Sequence, residues 1–300
     1  MWNREDSMQV DLTKVTLREA HSQFVEFLRS KKRATATVLA YGKDVEQLVT
    51  FVAEQHKYEP ALVNEQDIEN FKVYLKNEKY TSKSISRKIN SIKSFFRFMK
   101  VQNFVSDSPA AHVSHPKYEV APPRVLSKLE YRALRDASRD DVRLSSIIEL
   151  LLQTGMRIGE LANLHIEDVD LKKKQILIRP YESRDERTVP LSEAAVKAIE
   201  SYMAIRPKSD DKTLFLTKTG NPFLVRNIRT AVDRYFKIAG IENAKVNDLR
   251  HTFIIHQLRA GTPITYVSKL VGHKRLSTTE KYLKLIEGTV EKDNVKLEEL

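Results

Sequence analysis

The sequence predicts a mainly α-helical protein with one small antiparallel β-sheet, built as two domains. Three observations carry this. Glycine is scarce, at 8 of 300 residues, and apolar residues recur at helical spacing over most of the chain. Residues 106–123 hold Pro109, Pro116, Pro122 and Pro123 with few periodic apolar positions, which reads as an extended linker because proline disfavours helix at its own position and the one before. Between residues 169 and 191 the period shortens to that of strands. The expected division is an N-terminal extension at 1–10, a helical domain at 11–107, a linker at 108–124, a second domain at 125–288 and a C-terminal segment at 289–300.

Four helices are expected before the linker. Residues 17–28 place Leu17, Phe24, Phe27 and Leu28 on one face, and residues 38–52 do the same with Val38, Tyr41, Val45, Leu48 and Val52. Residues 68–75 carry Ile68, Phe71, Val73 and Leu75, with Asp67 as a candidate cap. Residues 84–99 carry Ile85, Ile89, Ile92, Phe95, Phe96 and Met99. After the linker, Ser127-Lys128-Leu129-Glu130 is a capping box that opens a helix. A second helix spans 142–154 and stops at Gly155, and residues 160–164 belong to the next. Three strands are expected at 169–171, 175–179 and 187–191, and helices return at 193–205, 224–239, 248–260, 264–270 and 277–285.

Composition narrows the function. There is no cysteine, which excludes disulfides, cysteine zinc sites and cysteine nucleophiles. Lys and Arg total 51 against 40 Asp and Glu, a formal charge of +11, which favours a polyanionic partner. No apolar run is long enough to span a membrane, and residues 1–10 lack a signal-peptide core, so a cytoplasmic protein is expected.

Three motifs are specific. Thr154-Gly155-Met156-Arg157-Ile158-Gly159-Glu160-Leu161, Asp248-Leu249-Arg250-His251-Thr252-Phe253, and Leu270-Val271-Gly272-His273 followed by Ser277-Thr278-Thr279-Glu280-Lys281-Tyr282 stand in this order. Together they resemble the two arginine boxes and the histidine-plus-tyrosine box of the tyrosine recombinases, the phage integrase and Xer-type family. Ser84-Ile85-Ser86-Arg87-Lys88-Ile89 is similar to part of that family's core-binding domain. The resemblance implies a C-shaped DNA clamp of a helical SAM-like core-binding domain and a catalytic domain.

The chemistry suits the residues. Transesterification at a phosphodiester passes through a phosphorane with added negative charge, and a guanidinium fork matches its nonbridging oxygens. By the resemblance, Arg157 and Arg250 hold those oxygens and Tyr282 attacks phosphorus. The product is a 3′-phosphotyrosyl link that stores the bond energy, so no cofactor and no metal are called for. His273 donates to a nonbridging oxygen or assists proton transfer, or else serves only to cap a helix after Gly272. Glu160 orients an active-site arginine or is a buried structural carboxylate, and His251 is expected to pack and hydrogen-bond internally.

Two positions depart from the family pattern. Asn247 stands where the family has His or Lys; its amide can hydrogen-bond to a phosphate oxygen or to the tyrosine hydroxyl but cannot act as acid or base. The family's turn lysine, which protonates the leaving 5′ oxygen, is replaced by Glu182, and the turn 180–186 has no lysine. Arg184 can supply charge there but is a poor proton donor. Lys172, Lys173 and Lys174 lie one strand away, so the general acid is open among His273, water, Arg184 and a lysine in another register.

DNA contacts are less sharply written. Lys83, Arg87, Lys88, Lys93 and Arg97 lie along one helix, and Arg226 and Arg229 along another; either a phosphate-facing side or a solvated basic face fits them. Lys31, Lys32 and Arg33 are further candidates. The resemblance implies double-stranded DNA with inverted repeats as partner, a homodimer on one site, a homotetramer in synapsis, and residues 289–300 docking on a neighbouring protomer. The alternatives are a non-catalytic DNA-binding relative, a strand-passing topoisomerase, and Xer-type chromosome dimer resolution in place of mobile-element recombination.

Overall fold

The computed structural model describes residues 15–31, 33–181 and 184–287. Contacts divide the chain into two units, Met1–Val120 and Ala121–Leu300, each with its own apolar core. No described helix is long and apolar enough to cross a membrane.

The first unit contains α1 (Leu17–Ser30), α2 (Thr35–Ala53), α3 (Glu65–Asn77) and α4 (Ser82–Val101). Their apolar faces meet around Phe24, Phe71, Phe95 and Phe96, all fully buried, with Phe24 edge-on to Phe95 at 5.3 Å. Ala110 and Val113, from the segment expected as linker, also bury in this core. The cap of α3 is Asn64, not Asp67: the Asn64 side chain accepts from the Asp67 backbone, and the Asp67 carboxylate returns the bond to Asn64 N at 2.9 Å. Asp67 therefore sits one turn inside the helix, where it also takes Lys57 at 2.6 Å.

One polar cluster lies inside this unit. Asp44 of α2, only 1 % exposed, accepts from Arg87, from Lys88 at 3.0 Å and from Ser91 at 2.8 Å, all on α4. Lys88 also donates to Gln47 at 2.7 Å and is itself buried. This corrects the expectation that Lys88 faces DNA: a buried carboxylate must be paired, and Lys88 is turned inward to pair it.

The second unit contains α5 (Lys128–Ser138), α6 (Val142–Thr154), α7 (Ile158–Ala162), β1 (Val169–Asp170), β2 (Gln175–Ile178), β3 (Arg187–Pro190), α8 (Glu193–Ile205), α9 (Val225–Ile238), α10 (Val246–Arg259), α11 (Ile264–Val271), α12 (Ser277–Glu280) and α13 (Leu283–Glu287). The strands form an antiparallel sheet in the order β1-β2-β3. Val169 opposes Ile176, and Ile176 opposes Val189, so the apolar residues share the face that meets the core. Helix α6 buries Leu144, Ile147, Ile148, Leu150 and Leu151, which span most of its circumference, as a central helix must.

The single helix expected at 277–285 is two short ones. Lys281 and Tyr282 form the break, where Tyr282 N donates to Thr279 O at 3.0 Å, the tighter i−3 pattern. The break turns the Tyr282 ring inward to 5 % exposure.

Candidate active site

The site is assembled on the C-terminal end of α11. The last carbonyls of a helix lack intrahelical donors and carry partial negative charge. Here three arginines satisfy them. Arg187 Nε donates to Leu270 O at 2.7 Å. Arg157 Nη1 and Arg250 Nη2 both donate to Val271 O, at 3.1 and 2.6 Å. Arg157 Nη2 donates to Gly272 O at 3.2 Å. The two arginine boxes and the histidine box thus meet at one peptide carbonyl.

Local structure puts each arginine there. Gly155, at φ 60°, ends α6 in the left-handed conformation, so Arg157 is delivered at the start of α7. Arg250 is held within α10 at 4 % exposure, with Nη1 donating to Gly155 O at 2.6 Å. Arg187 opens β3. Gly272, at φ 64°, closes α11, and a Cβ on it would stand 2.9 Å from Arg187 Nη1.

Glu160 binds the array from below. Its side chain has no exposure; Oε1 accepts from Arg157 Nη1 at 3.0 Å and Arg187 Nη1 at 3.1 Å, and Oε2 from Arg187 Nη2 at 2.7 Å. Glu160 is thus both buried and paired with two arginines. Burial opposes its ionisation, but the hydrogen bonds from Arg187 and the Arg157 backbone outweigh burial and keep the carboxyl below its ordinary range. Burial, then the charge of Arg157, pulls Arg250 down to about 9, so it stays a cation at neutral pH.

Tyr282 Oη lies 2.7 Å from His251 Nδ1, and Asn247 Nδ2 lies 2.7 Å from His251 Nε2. Asn247 therefore does not touch the tyrosine; His251 stands between them. Burial raises the phenol pKa, opposed by Arg250 and Arg157, and burial lowers that of His251. His273 stacks on Tyr282 with ring centres 6.3 Å apart, and its Nδ1 lies 2.7 Å from Thr279 Oγ1. Burial, then Arg250 and Arg157, pushes His273 down to about 3, so it is a neutral imidazole at neutral pH. A Thr279 hydroxyl donating to Nδ1 leaves Nε2–H as a donor.

The general-acid candidates separate. In the turn before β2, Lys173 pairs with Asp170 at 3.7 Å and Lys174 with Glu193, whereas Arg187 opposes Ile178 at the far end of that strand. Arg184 lies close enough for its charge to act on Arg157, in a cleft it shares with Arg187, Gly272, His273, Lys269 and Lys274. Glu182 and residues 289–300 lie outside the described residues, as does Lys32. Of the expected DNA contacts, Lys83, Arg97, Arg226 and Arg229 are exposed. Lys93 is half-buried and donates to Ala111 O at 3.3 Å, and Arg87 is shared with Asp44.

Sequence reasoning missed Arg187, Thr279, Lys269 and Lys274, and gave His251 no part in the site. A signal existed for His251 alone: Asn247 and His251 are four apart on a helix, hence neighbours on one face.

Comparison with known proteins first defines the class. The model described as the Phage integrase family matches residues 124–287, and that described as Phage integrase, N-terminal SAM-like domain, matches residues 22–103. The chain belongs to the phage integrase family and is a tyrosine recombinase. Among its relatives, Tyrosine recombinase XerC of Thermodesulfovibrio yellowstonii is 31% identical over 276 residues, 87% of this chain and 90% of that protein. The crystal structure of XerA recombinase is 28% identical, with a TM-score of 0.55 over 93% of this chain and 100% of that one. Lambda integrase shares the fold at 15% identity: its dimer bound to a COC' core site matches with a TM-score of 0.75 over 95% of this chain and 81% of that one. Its tetramer bound to a Holliday junction matches at 0.73, over 92% and 83%, with 16% identity.

Proposed function

We propose that this chain is a site-specific recombinase that cleaves and rejoins double-stranded DNA through a 3′-phosphotyrosyl link to Tyr282. The observation that carries the reading is the shared Val271 carbonyl, which fixes Arg157 and Arg250 side by side, with His273 stacked on Tyr282 next to them. Among the described residues, protein acceptors engage three of the five N–H groups of Arg157 and two of the five of Arg250. The remaining donors hold the nonbridging oxygens, where charge grows in the phosphorane. His273 adds a neutral N–H. Tyr282 forms the bond to phosphorus as the 5′ oxygen leaves, and the reverse attack by a 5′ hydroxyl reseals the strand.

Two protomers bind one site with inverted repeats and four form the synaptic complex, by analogy with the lambda integrase dimer on a core site and tetramer on a Holliday junction. Lys83, Arg97, Arg226 and Arg229 supply phosphate contacts. Recombination at a mobile element is the task favoured by the departures at Asn247 and in the 180–186 turn. Xer-type resolution is the second reading, favoured by the relatives named XerC. A plasmid assay tests this: two copies of the DNA flanking the gene are compared, as substrates, with two copies of a chromosomal dimer-resolution site. Deletion between the flanking copies supports the first task; deletion only between chromosomal dimer sites supports the second. Relaxation of plasmids lacking either site would mark a topoisomerase instead.

A further inference from the structure

Asn247 removes the side chain that the family's second arginine box normally offers, yet the phenol of Tyr282 is not left without a proton acceptor. His251 Nδ1 lies 2.7 Å from its oxygen, and the opposite ring nitrogen lies 2.7 Å from the Asn247 amide. We propose that His251 is the general base that takes the Tyr282 proton, and that Asn247 is a positioning residue that selects its tautomer. The inference rests on Tyr282 being the nucleophile.

The geometry specifies the step. Asn247 presents Nδ2 to Nε2; a half-turn of the amide, which exchanges two nearly isosteric ends, puts Oδ1 there instead, so that Nε2 keeps its hydrogen and Nδ1 presents a lone pair to the phenol. As Oη forms its bond to phosphorus, the Oη–H bond breaks and the proton goes to Nδ1. The bond from phosphorus to the 5′ oxygen breaks, and that oxygen takes a proton from water. The imidazolium then donates from both nitrogens, Nε2–H to the Asn247 oxygen. In rejoining, the 5′ hydroxyl bonds to phosphorus and gives its proton back to the hydroxide left in the forward step, while Nδ1–H returns the other proton to Oη as the phosphotyrosyl bond breaks. An amide suits this place better than a carboxylate, because it orients the ring without adding charge beside DNA phosphates.

The groups facing His251 are Asn247, Asp248 and Arg250 on its own helix, Tyr282 in the turn after α12, and His273 beyond α11. Burial lowers its pKa first, and Arg250 acts with burial against Asp248. The imidazole is therefore neutral, and able to accept, at neutral pH.

The test measures single-turnover adduct formation against pH on a nicked duplex whose scissile 5′ oxygen is replaced by sulfur. A thiolate leaves without a proton, so protonation of the leaving group drops out of the profile. Wild type is expected to rise with pH to a plateau starting below about 6.5, the ordinary histidine value. His251→Gln is expected to lose about 100-fold or more, in the range of general base catalysis, and to keep rising with pH as hydroxide replaces the base. Asn247→Asp puts a carboxylate against Nε2, and is expected to move the acid limb up by about one unit. A His251→Gln rate within about threefold of wild type with an unchanged limb overturns the proposal. If His251→Gln does not fold, an unmoved limb in Asn247→Asp overturns it instead. Tyr282→Phe separates the two claims: no adduct from it leaves the nucleophile standing whatever His251 does, whereas a persistent adduct removes nucleophile and base together.

Discussion

Glu160 and Arg187 form a bidentate pair between α7 and β3, Oε1 to Nη1 at 3.1 Å and Oε2 to Nη2 at 2.7 Å. That pair joins β3 to α7, alongside the apolar packing of Ile176, Ile178 and Val189 in the shared core. It also places one negative charge against the cations gathered at the end of α11.

Glu160→Gln keeps the shape and removes the charge. Arg157 and Arg187 then repel each other in a buried place. A loss of about 3–5 kcal/mol is expected, the usual cost of breaking a buried pair. Urea denaturation checks it, and bound DNA should recover part of the loss because phosphates replace the missing charge.

The two glycines at the site separate stability from alignment. Both have positive φ, which costs a side-chain residue about 1–2 kcal/mol. A Cβ at Gly155 would also meet the Phe253 ring at 2.3 Å, adding overpacking of about 1–3 kcal/mol. At Gly272 the obstacle is the movable Arg187 guanidinium at 2.9 Å. Thermal denaturation should therefore show Gly155→Ala to be the less stable, while Gly272→Ala loses adduct formation through a displaced Arg187.

The pH dependence of stability has a definite sign. His273 has a folded pKa of about 3 against 6.5 as the ordinary value. Between those values the unfolded chain binds a proton that the folded chain refuses, so stability falls as pH falls through that window. The urea midpoint should drop between neutral pH and about pH 5. His273→Gln should flatten that slope, and an equal slope in the variant contradicts the assignment.

Salt dependence sorts the basic residues of α4 and α9. If Arg97 and Arg226 neutralise phosphates, each change to Ala lowers the slope of log K against log salt by about 0.9. Lys88→Met should leave that slope alone and cost stability, because Asp44 loses a buried partner. Fluorescence anisotropy across a salt titration, with urea denaturation alongside, distinguishes the two behaviours.

What was legible in the sequence follows from where each signal resides. The boxes around Arg157, Arg250 and Tyr282 are short runs of sequence, so their resemblance to the boxes of the tyrosine recombinases exposed them. The helices showed in apolar periodicity, and Gly155 marked its own helix end. The shared Val271 carbonyl was invisible, because a backbone acceptor has no residue type to read. Lys88 looked like its neighbours, since its partner Asp44 lies 44 positions earlier on another helix. The break at Lys281–Tyr282 has no proline or glycine to announce it; packing of the tyrosine ring makes it. His251 reads as an ordinary helix residue until the fold brings Tyr282 to its ring.

The central claim is that Tyr282 becomes covalently joined to DNA. The most direct measurement traps the protein on a nicked suicide duplex, digests the adduct and locates the modified residue by mass spectrometry. The account predicts a 3′-phosphonucleotide on Tyr282 and no adduct from Tyr282→Phe. An adduct on any other residue, or tight binding with no adduct at all, would contradict it.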